Sequence, residues 1–287
     1  MAALLLMRIL RAFSLVLLVG LLSGCEALLF YPQSTLLRTP AQVGVTYEDV
    51  VLDGEGGVTL HAWWLPAEIP RATLIFAHGN AENISTHLAS VYWLPAQGIN
   101  VLLVDYRGYG RSTGYPSVSG AVSDLQVAVR WLEDKETGLP WFALGQSLGA
   151  SLMGAAVTGL PPDGRRHLAG VVLDAGFSEY ARIAKEQAAK HWLTWSFQYP
   201  AAWAMPDGYD LSESVPAISP APLLLIHGER DAVIGVEHAR RLYAAAKAPK
   251  QLFLYDGGHI ETFQRPEGRE ALLDFIASSL RQWAPPD

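Results

Sequence analysis

The chain is 287 residues long, half of them hydrophobic and 17% charged, which provides for a sizeable core and excludes a disordered or coiled-coil chain. Acidic residues outnumber basic ones by 28 to 21, for a formal net charge of −7, so the basic excess of a nucleic-acid binder is missing. The single cysteine, Cys25, excludes an intrachain disulfide, a cysteine-built zinc cage and a cysteine nucleophile within the domain.

The first 24 residues read as an address rather than as fold. Met1–Arg11 carries two arginines and no acid, and Ala12–Leu22 is a nearly unbroken apolar run of eleven residues. A bilayer span needs about 20 residues, so this run suits the core of a secretory signal. Leu22-Ser23-Gly24-Cys25 follows directly. It resembles the lipobox of bacterial lipoproteins, in which cleavage falls before the cysteine and the cysteine is diacylated. The alternative is an uncleaved signal anchor, against which the shortness of the apolar run argues. The resemblance implies attachment through Cys25, stable with two or three acyl chains, on a membrane facing the periplasm. Glu26 comes next, not the aspartate associated with inner-membrane retention, which points to the outer membrane. Residues 25–43 read as a tether into a domain spanning 44–284.

From Val45 onward, strand and helix patterns alternate. Val45–Leu52 and Val58–Leu65 flank a Gly-rich turn and predict a hairpin. Short continuous apolar runs follow at Thr73–Ala77, Asn100–Val104, Trp141–Leu144, Ala169–Leu173, Pro222–Ile226 and Gln251–Leu254, as expected of strands buried on both faces. Helical patterns lie between them near Ile84–Gln97, Val118–Lys135, Leu148–Leu160, Val236–Ala246 and Glu267–Trp283. The pattern predicts an α/β fold: a mostly parallel eight-stranded sheet with helices on both faces and an antiparallel edge. Chemistry in such sheets gathers at the carboxyl ends of the strands.

Gly145-Gln146-Ser147-Leu148-Gly149 is a G-x-S-x-G between a predicted strand and a predicted helix, the setting of a nucleophile elbow. Ser147 is then the candidate nucleophile, and the amide of Leu148, in the first helical turn, faces the developing negative charge. A serine hydroxyl needs a base. Among eight histidines, His259 lies just past the last strand, where a loop could bring it to the elbow. His78 and His227 end strands in His-Gly pairs and read as loop-shaping; the other five read as solvated or packed. The imidazole needs a carboxylate. Asp231, in the loop after Pro222–Ile226, gives the order Ser, Asp, His and is preferred to Asp174 and to Glu229, which sits closer to its strand. The second oxyanion amide is expected in the loop His78-Gly79-Asn80, from Asn80.

With these motifs stand Leu60–Pro66, His78–Ile84, Asp105–Ser112 and Gly258-His259, in that order. Together they resemble the α/β-hydrolase family of small serine esterases and thioesterases, sometimes described as serine-aminopeptidase-like, over residues 44 to 283. The resemblance implies Ser147 as nucleophile, Asp231 as acid, His259 as base, and Asn80 and Leu148 as oxyanion donors, with no metal and no cofactor. It makes Asp105–Ser112 a structural loop in which Arg107 is paired internally. Ala175-Gly176 departs from the Ser-Pro common in relatives, which touches the pocket wall and not the triad.

Between Phe177 and Pro222 the chain is least family-like, and 178–221 reads as a lid-like insertion. Its Trp192, Trp195, Phe197, Tyr199 and Trp203 either line an acyl pocket or pack on the core. The expectation is a lipid-anchored serine hydrolase acting on small acyl esters or thioesters, with no nucleic-acid partner. The competing readings are an aminopeptidase-type amide hydrolase, for which Glu179, Glu186, Asp207 or Asp210 would hold the substrate amine, and a non-catalytic lipoprotein.

Overall fold

The apolar runs form strands because each is short, rich in branched side chains and bounded by turn residues. The computed structural model describes residues 29–135, 138–190 and 192–284, so the signal segment and Cys25 lie outside the described residues. Eight strands make the central sheet: β1 (Glu48–Asp53), β2 (Thr59–Leu65), β3 (Ala72–Ala77), β4 (Ile99–Val104), β5 (Trp141–Gln146), β6 (Leu168–Asp174), β7 (Leu223–Gly228) and β8 (Lys250–Tyr255). Their order is β8-β7-β6-β5-β3-β4-β2-β1. β2 runs antiparallel to both of its neighbours, and the other pairs are parallel. The carboxyl ends of β3, β5, β6, β7 and β8 therefore open on one edge of the sheet.

Alternate residues of each strand face opposite cores. Ile75 and Ala77 enter one with helices α2 (Val118–Asp134) and α3 (Leu148–Gly159). Leu74 and Phe76 enter the other with α1 (Ile84–His87) and α8 (Pro266–Gln282). β3, β4, β5 and β7 are buried throughout, as their sequences predict. β8 is only half-buried, because it ends the sheet and has one free edge.

Two expectations need correction. The helix read over Ile84–Gln97 breaks into α1 and two 3-10 turns, Leu88–Ser90 and Pro95–Gln97. Pro95 cannot donate to a preceding turn, and Gly98, in the left-handed region at φ 75°, stops the segment. The insertion contains α4 (Tyr180–Ala189), a turn at Trp195–Phe197, α5 (Gln198–Trp203) and α6 (Leu211–Ile218), and is followed after β7 by α7 (Glu237–Ala245). α4 and α6 bury Tyr180, Ile183, Leu211, Val215 and Ile218. The aromatics between them do not pack on the core. Trp192, Trp195, Phe197, Tyr199 and Trp203 are 53–86% exposed. α5 rests on α4, with Lys185 Nζ over the Tyr199 ring at 4.6 Å.

Residues 29–43, assigned to a tether by sequence, lie against the domain. Phe30 is buried, and Tyr31–Pro32 pairs in parallel with Ala81–Glu82. Asn83 Nδ2 donates to the carbonyls of Gln33 and Thr35, and Leu37 N donates to Ser85 Oγ.

The loop after β4 is tied to α2 by Arg107. Its guanidinium meets Asp124 through Nε and NH2 at 2.7–3.2 Å, and its amide donates to Asp124 Oδ2 at 2.8 Å. Asp124 has no solvent exposure. Arg107→Ala strands that carboxylate and is expected to cost about 3–5 kcal/mol. Urea unfolding should show a lower midpoint at unchanged m; a loss below about 1 kcal/mol would mean that the pair is no more than a surface contact.

Candidate active site

The elbow follows from the close meeting of three backbone segments. Ser147, between β5 and α3, adopts φ 56° and ψ −121°, a region that costs a residue with a side chain about 1–3 kcal/mol. A Cβ on Gly145 would stand 2.3 Å from Gly149 O, and one on Gly149 would stand 2.2 Å from Ala77 O. Both glycines are needed, the first within the turn and the second to make room for the end of β3. Ser147 N donates to Asp174 O at 2.9 Å, pinning the turn to β6.

Three side chains from three loops meet there. Ser147 Oγ lies 3.0 Å from His259 Nε2, and His259 Nδ1 lies 2.7 Å from Asp231 Oδ2. The other oxygen of Asp231 accepts from the amides of Val233 and Ile234 at 2.8 and 2.9 Å. Burial pushes the Asp231 carboxyl up, but His259 and the two amides more than offset this and hold it below the usual carboxylate value. An ionised Asp231 keeps the proton on Nδ1, leaving Nε2 free to accept from the serine hydroxyl. His227, buried, accounts for the shape of the acid loop through Nε2 and Ile234 O at 2.7 Å; burial lowers its pKa. Glu229 is exposed and outside the cluster.

The loop after β3 is fixed at three successive carbonyls. Tyr106 OH donates to His78 O, His78 Nδ1 bonds Gly79 O at 2.8 Å, and Asn80 O accepts from Tyr109 OH and Tyr31 N. The Asn80 N–H shares a trans peptide plane with Gly79 C=O and so points the opposite way from it. The loop runs beside the nucleophile: a Cβ on Gly79 would lie 3.7 Å from Ser147 Cβ. Leu148 N, in the first turn of α3, has no acceptor within its helix.

Sequence reading missed what holds this loop from behind. Tyr106 and Tyr109 are fully buried, and His78 stacks on Tyr106 at 4.4 Å. His61, expected to be solvated or packed, is buried between Asp49 and Asp105, at 2.7 and 3.7 Å. Burial pulls its pKa down, and the two carboxylates raise it above the ordinary value. His87 stacks on His78, and burial together with that neighbour brings it down to about 4. The visible signal was the pair of tyrosines, three apart, in Asp105-Tyr106-Arg107-Gly108-Tyr109.

Asp174, the rival acid, faces elsewhere. Its oxygens accept from Gln146 Nε2 and Thr262 Oγ1, both at 2.7 Å. Thr262 also meets Tyr255 OH at 3.0 Å, and Tyr255 OH reaches Gly258 O, beside His259. Asp174 thus bridges Gln146, the residue before Ser147, to the loop that carries His259. Among the described residues, no group of three His, Cys, Asp or Glu side chains is arranged to hold a metal ion.

Comparison with known proteins gives the same picture of the scaffold. The family model described as serine aminopeptidase, S33, matches residues 68–210. The uncharacterized protein YfhR of Escherichia coli strain K12 is 36% identical over 245 residues, 81% of each chain. The α/β hydrolase domain-containing protein WAV2 of Arabidopsis thaliana is 30% identical over 270 residues, 86% of this chain and 82% of that one. Among solved structures, the Pyrococcus furiosus esterase Pf2001 superposes with a TM-score of 0.68 at 22% identity, covering 89% of this chain and 98% of its own.

Asp174 has a measurable signature. Burial pushes its carboxyl up to about 6, against the hydrogen bonds from Gln146 and Thr262 and from an ordinary 3.8. Between these values the folded protein holds a proton that the unfolded chain has released. Stability therefore falls as pH rises through this window, by about 3 kcal/mol in all. Asp174→Asn keeps an acceptor oxygen for Gln146 Nε2 and presents an N–H donor to Thr262 Oγ1 in place of the second acceptor. It is expected to flatten the dependence of the urea midpoint on pH between about 4 and 6. An unchanged slope would assign the titration to another group.

Proposed function

Because the chain belongs to the α/β-hydrolase family, we propose that it is a serine hydrolase of carboxylic esters or thioesters, carried on a membrane facing the periplasm by a lipid on Cys25. One observation carries the catalytic part: the continuous chain Ser147 Oγ–His259–Asp231, at 3.0 and 2.7 Å. In this reading Ser147 Oγ attacks the acyl carbon as His259 Nε2 takes its proton, and Asp231 balances the imidazolium. The amides of Asn80 and Leu148 hold the tetrahedral oxyanion. His259 then gives its proton to the departing alkoxide or thiolate, leaving an acyl-Ser147. Water, deprotonated by His259, attacks that acyl group and releases the acid, and the proton returns to Ser147.

An ester or thioester substrate suits the surroundings better than a peptide with a free amino terminus. A peptidase of that kind needs an unengaged carboxylate near the site. Glu179 is paired with Arg182, Glu186 with His238, and Asp210 with Tyr180 N. Asp207 is exposed on the surface of the insertion.

Ser147→Ala is expected to lower kcat on p-nitrophenyl acetate by about 10⁴–10⁶, or roughly 5.5–8 kcal/mol of barrier. Asp231→Asn is expected to lower it about 10⁴-fold by favouring the wrong imidazole tautomer. Fluorophosphonate labelling should be lost in Ser147→Ala, and aminoacyl anilides should turn over more slowly than acyl esters. Equal rates for Ser147→Ala and the unaltered enzyme would sink this reading; faster anilide turnover would move it to amides.

A further inference from the structure

Large hydrophobic side chains on the surface are ordinarily scattered. Here six of the twelve exposed ones among the described residues fall in a single stretch: Trp192, Leu193, Trp195, Phe197, Tyr199 and Trp203. Tryptophan and tyrosine have an apolar body and a polar tip, the combination enriched where lipid meets water. In a chain with a formal charge of −7, residues 187–206 contain no acid at all, and Lys190 adds a positive charge. The crown itself therefore carries no carboxylate into a lipid headgroup layer, and the exposed Asp207 stands just beyond it.

The crown sits beside the catalytic edge. Lys190 Nζ donates to the carbonyls of Ala232 and Val233, and Gln187 Nε2 donates to Val233 O. These residues directly follow Asp231. The N-terminal segment arrives at the same edge, where Tyr31 N donates to Asn80 O. Only three residues, Glu26 to Leu28, separate Cys25 from Leu29, four Cα steps with a reach of at most about 14 Å when fully extended. A lipid on Cys25 therefore holds the oxyanion loop, and with it the crown's edge of the molecule, close to the bilayer surface.

We propose that residues 192–203 are a membrane-docking surface that seats in the interface of the bilayer holding Cys25, so that the site takes acyl esters from the lipid phase. The docking rests on the exposed crown and the short N-terminal reach; its consequence for substrate rests on the hydrolase reading above.

The test uses the full chain reconstituted in phosphatidylcholine vesicles, with and without a brominated-chain phosphatidylcholine as a contact quencher. The six other tryptophans are buried or half-buried, so quenching reports the crown. Bromolipid is expected to quench the tryptophan fluorescence of the unaltered protein and to lose that effect in the variant Trp192→Ser, Trp195→Ser, Trp203→Ser. The same variant should turn over soluble p-nitrophenyl acetate normally, while its rate on p-nitrophenyl palmitate embedded in the vesicles falls about tenfold. Absent quenching, or equal quenching in both proteins, overturns the proposal. So does a dimer, seen by sedimentation, that the variant loses, since the crown would then face a second copy. Failure of the unaltered protein to cleave p-nitrophenyl acetate would overturn the hydrolase reading while leaving the quenching result to stand.

Discussion

An imidazole carried on a loop 112 residues beyond the serine must be held within hydrogen-bond distance of one hydroxyl. Neither side chain can do this alone. The serine is pushed out of the sheet by a backbone geometry that survives only because Gly145 and Gly149 allow three chain segments to touch. The imidazole is brought over by a loop laced to its neighbour, with Glu229 N on Tyr255 O and Arg230 N on Gly257 O. Asp174 and Thr262 join the two halves from below, so the carboxylate that is not in the relay still sets its spacing.

The loop proposed to hold the oxyanion obeys a different logic. In that reading its amide points at a charge that exists only during reaction, and it is oriented through its carbonyls. Two buried tyrosines, one histidine and the N-terminal segment take one carbonyl or share one. Behind them, buried His61 and Asp105 stand next to the exposed Asp49, and the Asp105 carboxyl is kept low despite its burial by His61, His78 and the amide of Ile84. Such a group specifies one arrangement more than it adds stability.

Much of this was legible in the residues. The apolar runs located all eight strands because burial on both faces leaves a continuous signal, and the first drifted only where Val45–Tyr47 precede the ladder. The Gly-x-Ser-x-Gly spacing and the ends of β7 and β8 singled out Ser147, Asp231 and His259, since a tight turn and a strand terminus are local features. What was not legible depends on partners distant in sequence. Nothing near Asp174 announces Thr262, 88 residues away, and nothing in Phe30–Val43 announces that it packs on Asn80 and Asn83. That the insertion's aromatics do not pack on the core was not legible either, because composition does not say whether a neighbouring element exists to cover them.

The N-terminal segment therefore does two jobs at once. It is the chain's exit toward Cys25 and also a wall of the donor loop, through Tyr31 on Asn80 and Asn83 on Gln33. Its length is thereby constrained from both ends. Added residues between 25 and 29 would only lengthen the leash, whereas a single insertion between 31 and 37 would slip the register against Ala81 and Ser85. A change in length is thus tolerable before residue 29, whereas between Tyr31 and Leu37 it would be felt first as a displaced backbone at Asn80.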